Sequence, residues 1–572
     1  MTFEIIDTDI LIIGAGGAGC RAAIAASDSN LEVTIITKDI LGKAHTVMAE
    51  GGINAALANL DPIDSSEIHT NDTCNAGAYL NNQYLAEILS VDSPQRVYDL
   101  ENFGAIFSRT PDGLIMQRPF GHQTYRRTCY AGDRTGHEVM HTLTQELRRR
   151  EIHIIDEVYA TSLLRDNSHI AGVTVVDIRT GNFKIFRAPS IVMAAGGAGR
   201  IYHITTNAQA DVGSGYAMAY KCGVELIDME QIQFHPTGTA IPPAARGRLV
   251  TEGVRGEGGI LLNKLGERFM KNYNPRLMEL AGRDEVARAV ATEIREGRGT
   301  ENDAVYLDLS FLPSKIIEDR LPTMLEDFLD IGIDIRKEPM EVTPTTHHVM
   351  GGLKIDQLTK TNIKGLFAAG EVAGGVHGGN RLGGNALAAG QVFGKIAGTS
   401  ASDFAVKATL PKLDRDNIEK EYLRIIAPLE RKEGISSSTQ KRDLQKLMWD
   451  KAGIVRNDQG LKEALQFIKN QQEIANSKLF VNNKATRYNT EWISALELHD
   501  MLIVAEMIVR SAIIRRESRG AHYRSDYPSL NNEEYFVNFV IKQQNNQMVI
   551  EKMPVIITKW IPPWKGNPNS GG

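Results

Sequence analysis

Between Asp9 and Thr37 the chain runs through a short apolar segment, a glycine turn, an Ala-rich segment and a second apolar segment, within about 30 residues. Asp9–Ile13 reads as a buried parallel strand, since it is continuously apolar where a half-exposed strand would alternate. Gly14-Ala15-Gly16-Gly17-Ala18-Gly19 follows, then a helix from about Cys20 to Ser27 and a strand over Glu32–Thr37. In this setting Gly14, Gly16 and Gly19 permit the tight turn and let the backbone approach a pyrophosphate, which the helix N-terminus attracts. The second strand ends on Thr37 and Lys38, not on a ribose-binding acid, so this motif alone leaves NAD and FAD both open.

Two later segments, Ser190–Gly197 and Gly365–Glu371, repeat the pattern of a strand entering a glycine turn. The dinucleotide domain is therefore expected to be interrupted, its sheet completed after an insertion over 229–346 that covers the site. The expected division is 1–228 with 347–405, an insertion at 229–346, a helical region at 410–528 and a tail over 529–572. Amphipathic helices are expected at Asn417–Leu429, Leu461–Ser477 and Glu491–Glu517, and the tail, with Trp560, Trp564 and the closing Gly-Asn-Pro-Asn-Ser-Gly-Gly, reads as irregular.

Composition narrows the function. Lys and Arg number 64 against 70 Asp and Glu, a net charge of −6, which speaks against a nucleic-acid or anionic-membrane binder. The four cysteines, Cys20, Cys74, Cys129 and Cys222, include no CxxC and suit neither a disulfide framework nor an iron–sulfur or zinc site. No metal is expected. The N-terminus carries no secretory signal and no stretch approaches the ~20 apolar residues of a spanning helix. A cytoplasmic protein is expected, with any attachment to the inner face of a membrane made through partners.

Several polar segments carry chemistry: Ala44–Asn54, His235–Gly238, Thr251–Gly259, Gly282-Arg283-Asp284, Pro344–His348 and His377–Asn385. Arg forks with His and Thr donors suit planar carboxylates, and two such clusters suit a ligand with two of them. Each has a plainer reading: a structural histidine, a surface Arg283–Asp284 pair, or a helical Glu252–Arg255 pair. The glycines around Glu252 favour a loop there.

Phe107-Ser108-Arg109, Gln117–Gly121, Asp133–His137, Gln233–Gly238, Thr251-Glu252-Gly253 and Glu517–Arg524 together resemble the flavoprotein subunit of the succinate dehydrogenase/fumarate reductase family, over Asp9 to about Pro528. The resemblance implies an α/β fold: a Rossmann-like FAD-binding domain with an inserted α+β capping domain and a C-terminal helical domain. It implies FAD held by Gly14, Gly16, Gly19, Lys38, His45, Thr46, Gly51, Gly52, Glu371, Ala386 and Leu387, with His45 covalently joined to the flavin. His235, Thr251, His347 and Arg381 match substrate-carboxylate ligands. Arg283 matches the catalytic proton donor, and Glu252 and Arg255 its relay partners. The partners implied are fumarate or succinate, together with further subunits that include an iron–sulfur subunit.

Three positions depart from the family pattern. Lys43-Ala44 precedes the histidine where Ser or Arg-Ser is common. Gly213-Ser214-Gly215 replaces Gly-Asp-Gly, and His348 stands where Tyr usually follows the substrate histidine. L-aspartate oxidase shares the fold, but Asn380–Asn385 lacks its Asn-Arg-Met-Ala-Ser-Asn pattern. A flavin electron-transfer module would not need His235, Arg283, His347 and Arg381 together. Glu50, in Ala49-Glu50-Gly51-Gly52, favours fumarate reduction over succinate oxidation. A quinone-linked complex and a thiol-dependent reductase are the two candidate electron routes.

Overall fold

A computed structural model describes residues 3–565. Five parallel strands form the central sheet, in the order Leu366–Ala368, Ser190–Met193, Ile10–Ile13, Val33–Ile36, His153–Ile155. Ile10–Ile13, Val33–Ile36 and Ser190–Met193 are buried throughout, as a sheet covered on both faces requires. The glycine-turn helix (Gly17–Ala26) begins earlier than expected because its first turn includes two of the glycines themselves, and it packs against the long helix Asn385–Ala405. That contact is close because Gly394 and Gly398 face the carbonyls of Ala18 and Ala22, where a Cβ would come within 2.6 and 2.1 Å.

The insertion carries an antiparallel sheet ordered Ile232–Thr239, Met340–Val349, Val305–Asp308, Ile260–Leu262. A separate hydrophobic core, running from Val250 to Val342, underlies it. The main core, by contrast, is shared between the dinucleotide sheet and the C-terminal helices.

Two expectations are corrected here. The helix expected at Glu491–Glu517 spans Thr490–Ile514 and is not amphipathic. Buried residues occur all round it, because the neighbouring helices Ser437–Ala452 and Asp458–Lys478 cover it. The segment read as irregular contains a hairpin, Val537–Gln544 with Gln547–Pro554, which joins a sheet through Leu226–Ile227. Asn545 and Asn546 turn it with φ of 49° and 60°, the two positive angles of a tight two-residue hairpin turn. The closing Gly-Asn-Pro-Asn-Ser-Gly-Gly lies outside the described residues. No helix among the described residues is long and apolar enough to cross a membrane.

Candidate active site

One continuous cleft runs from the glycine turn to a cluster of cationic side chains. At its first end, Gly14 has φ 109°, and a Cβ there would stand 2.3 Å from the Ala194 carbonyl oxygen. Gly19 does not line the cleft. Its Cβ would meet the Gly14 carbonyl oxygen at 1.9 Å, so its task is to let the helix begin directly against the turn. Gly16 precedes the helix and offers no side-chain cap, while Gly17 N–H donates to Thr46 Oγ1 at 3.1 Å. A helix N-terminus whose cap residue has no side chain, opening into a cleft, fits the pyrophosphate of a dinucleotide.

Lys38, His45, Thr46, Gly51, Gly52, Glu371, Ala386 and Leu387 all line the same cleft. Lys38 pairs with Glu497, on the buried C-terminal helix. His45 accepts a hydrogen bond at Nδ1 from Ala208 N–H (3.3 Å), which leaves Nε2 as its other nitrogen. Glu371 accepts from Val349 N–H and pairs with His348 Nδ1 at 3.2 Å. Burial acts to raise the Glu371 carboxyl, yet His348, His45 and the Val349 N–H together hold the group at about 2. His348 is itself lowered, chiefly by burial, and its Nε2 is buried without a hydrogen-bond partner among the described residues. The position that departs from the family's Tyr is thus tied to an acid of the cofactor end. Ser214, another of the departures, lines the cleft and lies 3.1 Å from the Tyr159 hydroxyl.

The far end is built by the inserted sheet and two helix starts. His235 lies on the edge strand Ile232–Thr239, where Pro236 falls inside a register shift between His235 and Gly238. An edge bulge is one of the few places a sheet accommodates proline. His347 comes from the paired strand, 5.2 Å from His235 between ring centroids. Thr251 accepts from Gly253 N–H and starts a short helix, Glu252–Gly256, so the loop expected there is corrected: the threonine cap outweighs the glycine. Arg283 is the first residue of the helix Arg283–Arg295.

Arg283 is not a surface pair with Asp284. Its Nε donates to Glu252 Oε2 at 2.9 Å, and Gly121 N–H holds the other carboxylate oxygen at 2.9 Å. Burial pushes Glu252 up, but Arg283 and Arg255 beside it hold the carboxyl well below its ordinary range. Arg255 is not in the cleft. It lies behind Glu252, fully buried, with Nη1 donating to the Glu279 carbonyl oxygen. Burial and the charge of Arg283 bring Arg381 down to about 9, so it stays charged at neutral pH. His235 and His347 are kept neutral, first by burial and next by Arg283.

Sequence reasoning does not single out Gln233, which stands at the head of the stretch Gln233–Gly238. In the structure its carboxamide oxygen accepts from both Arg283 Nη1 (3.3 Å) and Arg381 Nη2 (3.0 Å), and its nitrogen donates to Asn380 and to the Arg381 carbonyl. It spaces the two guanidinium groups. A neutral amide two residues before His235, hence on the same face of the strand, is the available signal.

Two guanidinium groups, Arg283 and Arg381, face this end of the cleft with one carboxylate, Glu252, so the charge at this end is net positive. Such an excess of positive charge favours a carboxylate ligand. Among the described residues no group of three or more His, Cys, Asp or Glu side chains is placed to hold a metal ion.

Residues 9–387 match the model of an FAD binding domain, and 441–567 match that of the fumarate reductase flavoprotein C-terminal region. The chain is 52% identical to a fumarate reductase (CoM/CoB) subunit of Methanothermobacter marburgensis, over 92% of this chain and 96% of that one. It is 38% identical to a succinate dehydrogenase flavoprotein subunit of Rickettsia bellii, over 97% and 98% of the two chains. A solved structure of E. coli quinol fumarate reductase FrdA, in mutant form, superposes with a TM-score of 0.93 at 35% identity and covers 98% of each chain.

Proposed function

The chain belongs to the succinate dehydrogenase/fumarate reductase flavoprotein family, an FAD-dependent oxidoreductase, and from that premise we propose that it is the catalytic component of a fumarate reductase. The observation that carries this reading is the buried Arg283–Glu252–Arg381 cluster, net positive, at the far end of a dinucleotide cleft. FAD bound along the cleft supplies the hydride for the substrate double bond. His235, Thr251, His347 and Arg381 hold the two carboxylates and fix the reacting carbon. Neutral imidazoles serve here as hydrogen-bond donors, which leaves the guanidinium groups to carry the charge.

Arg283 gives the proton. A guanidinium is an improbable acid in water, its pKa lying above ~12. In this site it sits next to Glu252 and faces a second cation across Gln233, so the proton it releases can be replaced locally through Glu252, with Arg255 keeping that carboxylate ionised. The name of the methanogen relative supports thiols, coenzymes M and B, as the source of reducing equivalents. With no cysteine cluster in this chain, a separate iron–sulfur subunit is the proposed carrier. Any attachment at the inner face of the membrane would fall to further subunits.

His45 is the proposed covalent anchor of the flavin. Its Nδ1 is engaged by Ala208, so Nε2 is the nitrogen available for the bond. Acid-precipitated native protein should stay yellow, and His45→Ser should release the colour into solution. The activity itself is tested with fumarate and a reduced viologen dye. Succinate formation is the expected result, and consumption of aspartate with oxygen instead would overturn the reading.

A further inference from the structure

Glu252 and Arg283 face two spaces. One is the cofactor cleft. The other is a small pocket that shares Glu252, Arg283 and Arg381 with the cleft but none of its glycine-turn residues, and its wall includes His122 and Gly282. His122 is exposed, whereas Glu252 and Arg283 have side chains only 4% and 10% exposed. This pocket therefore connects the buried pair to a side chain in contact with water.

The placement of His122 is constrained. Its backbone has φ 63°, left-handed for a residue other than glycine. The preceding residue, Gly121, is the one whose N–H holds Glu252 Oε1. The imidazole stands over Gly282, immediately before Arg283, and a Cβ on Gly282 would come within 2.5 Å of His122 Nε2. Charged groups around the pocket are Glu252, Arg283, Arg381 and Asp284, which is bound by Arg288, while Asp72 with Arg127 anchors the following turn through Thr124.

We propose that His122 is the group through which Arg283 recovers its proton from solvent. The inference rests on the fumarate-reducing function with Arg283 as donor. In each turnover the substrate gains a hydride, with its two electrons, from the reduced cofactor and a proton from Arg283, whose N–H bond breaks as the new C–H bond forms. Neutral Arg283 then takes a proton from Glu252, which has accepted one from the imidazolium of His122 across a water in the pocket they both line. The carboxylate is restored, and imidazole is reprotonated by bulk water or buffer. One solvent proton replaces the one delivered. Arg255 lacks a comparable exit, being fully buried and turned toward the Glu279 carbonyl.

His122→Gly tests this directly, because glycine relieves the left-handed backbone and the fold should persist. With the flavin-loaded native complex, fumarate and reduced viologen, kcat should fall about 100-fold while KM for fumarate is unchanged. The remaining rate should rise with buffer concentration, and added imidazole should restore it. His122→Gln, which fills the space without carrying a proton, should show the same fall. A wild-type kcat in both variants, or a loss insensitive to buffer and imidazole, would overturn the proposal. If instead the wild-type complex fails to reduce fumarate, or Arg283→Ala retains full turnover, the functional reading is what fails.

Discussion

Arg381 and Arg283 share one amide partner, yet the chemistry asks different things of them. Arg381→Ala removes a charge that binds substrate and transition state alike, so KM should rise on the order of 100-fold. Arg283→Lys should leave binding largely intact and lower kcat by roughly 10²–10⁴, because the donor acts in the transition state. Steady-state kinetics separate the two outcomes. Gln233→Glu would add a negative charge between the guanidinium groups, and fumarate affinity should drop about tenfold. The ion pair sets a pH dependence as well. Glu252 is depressed in the folded state, so its stabilisation is complete above the ordinary carboxylate value of 4.5 and is lost as pH falls from there through the folded value. Glu252→Gln should therefore melt lower than the native protein at pH 7, with the gap narrowing in acid. These residues differ in legibility. His235, His347 and both arginines match residues to which the family resemblance gives a role. Gln233 is an uncharged side chain whose role appears only when two distant arginines meet on it, and His122 follows the marked stretch Gln117–Gly121 without belonging to it.

At the level of elements, the glycine turn is readable because its demands are local. Gly19→Ala would press a methyl group onto the Gly14 carbonyl, and the purified variant should have lost most of its FAD, measured as flavin absorbance per chain. The central strands are readable for a related reason, since continuous apolar runs have few other places to go. The helix Thr490–Ile514 reads as amphipathic from sequence, but its few polar residues find buried partners: Glu497 with Lys38 and Lys441, and Asp500 with Lys221 and Tyr159. Such pairing joins groups far apart in the chain and leaves no periodic trace. The hairpin after Val537 escapes a sequence reading although Asn545-Asn546 is a turn signal, because no residue of its outer strand is fully buried and the inner one is buried only over Asn538–Ile541.

For the whole molecule, the proposed electron route needs a second protein. Mild, anaerobic purification of the native chain should bring down a cysteine-rich partner, with iron and acid-labile sulfide in the fraction. A preparation of this chain alone that was fully active with its physiological donor would exclude that arrangement. The two hydrophobic cores also bear on how long a substrate stays bound. Val250, Val254 and Val286, which flank Thr251, Glu252 and Arg283, belong to one core, whereas Leu387, at the start of the helix that follows Arg381, belongs to the other. Asp133 already bridges the two parts by accepting from Thr323 N–H. A dicarboxylate gripped from both sides acts as a second bolt, and it leaves only as fast as the two bodies part. Amide hydrogen exchange along Arg283–Arg295 should accordingly slow when succinate is present, so that one rate, the opening of a seam, governs both product release and the local stability of the protein.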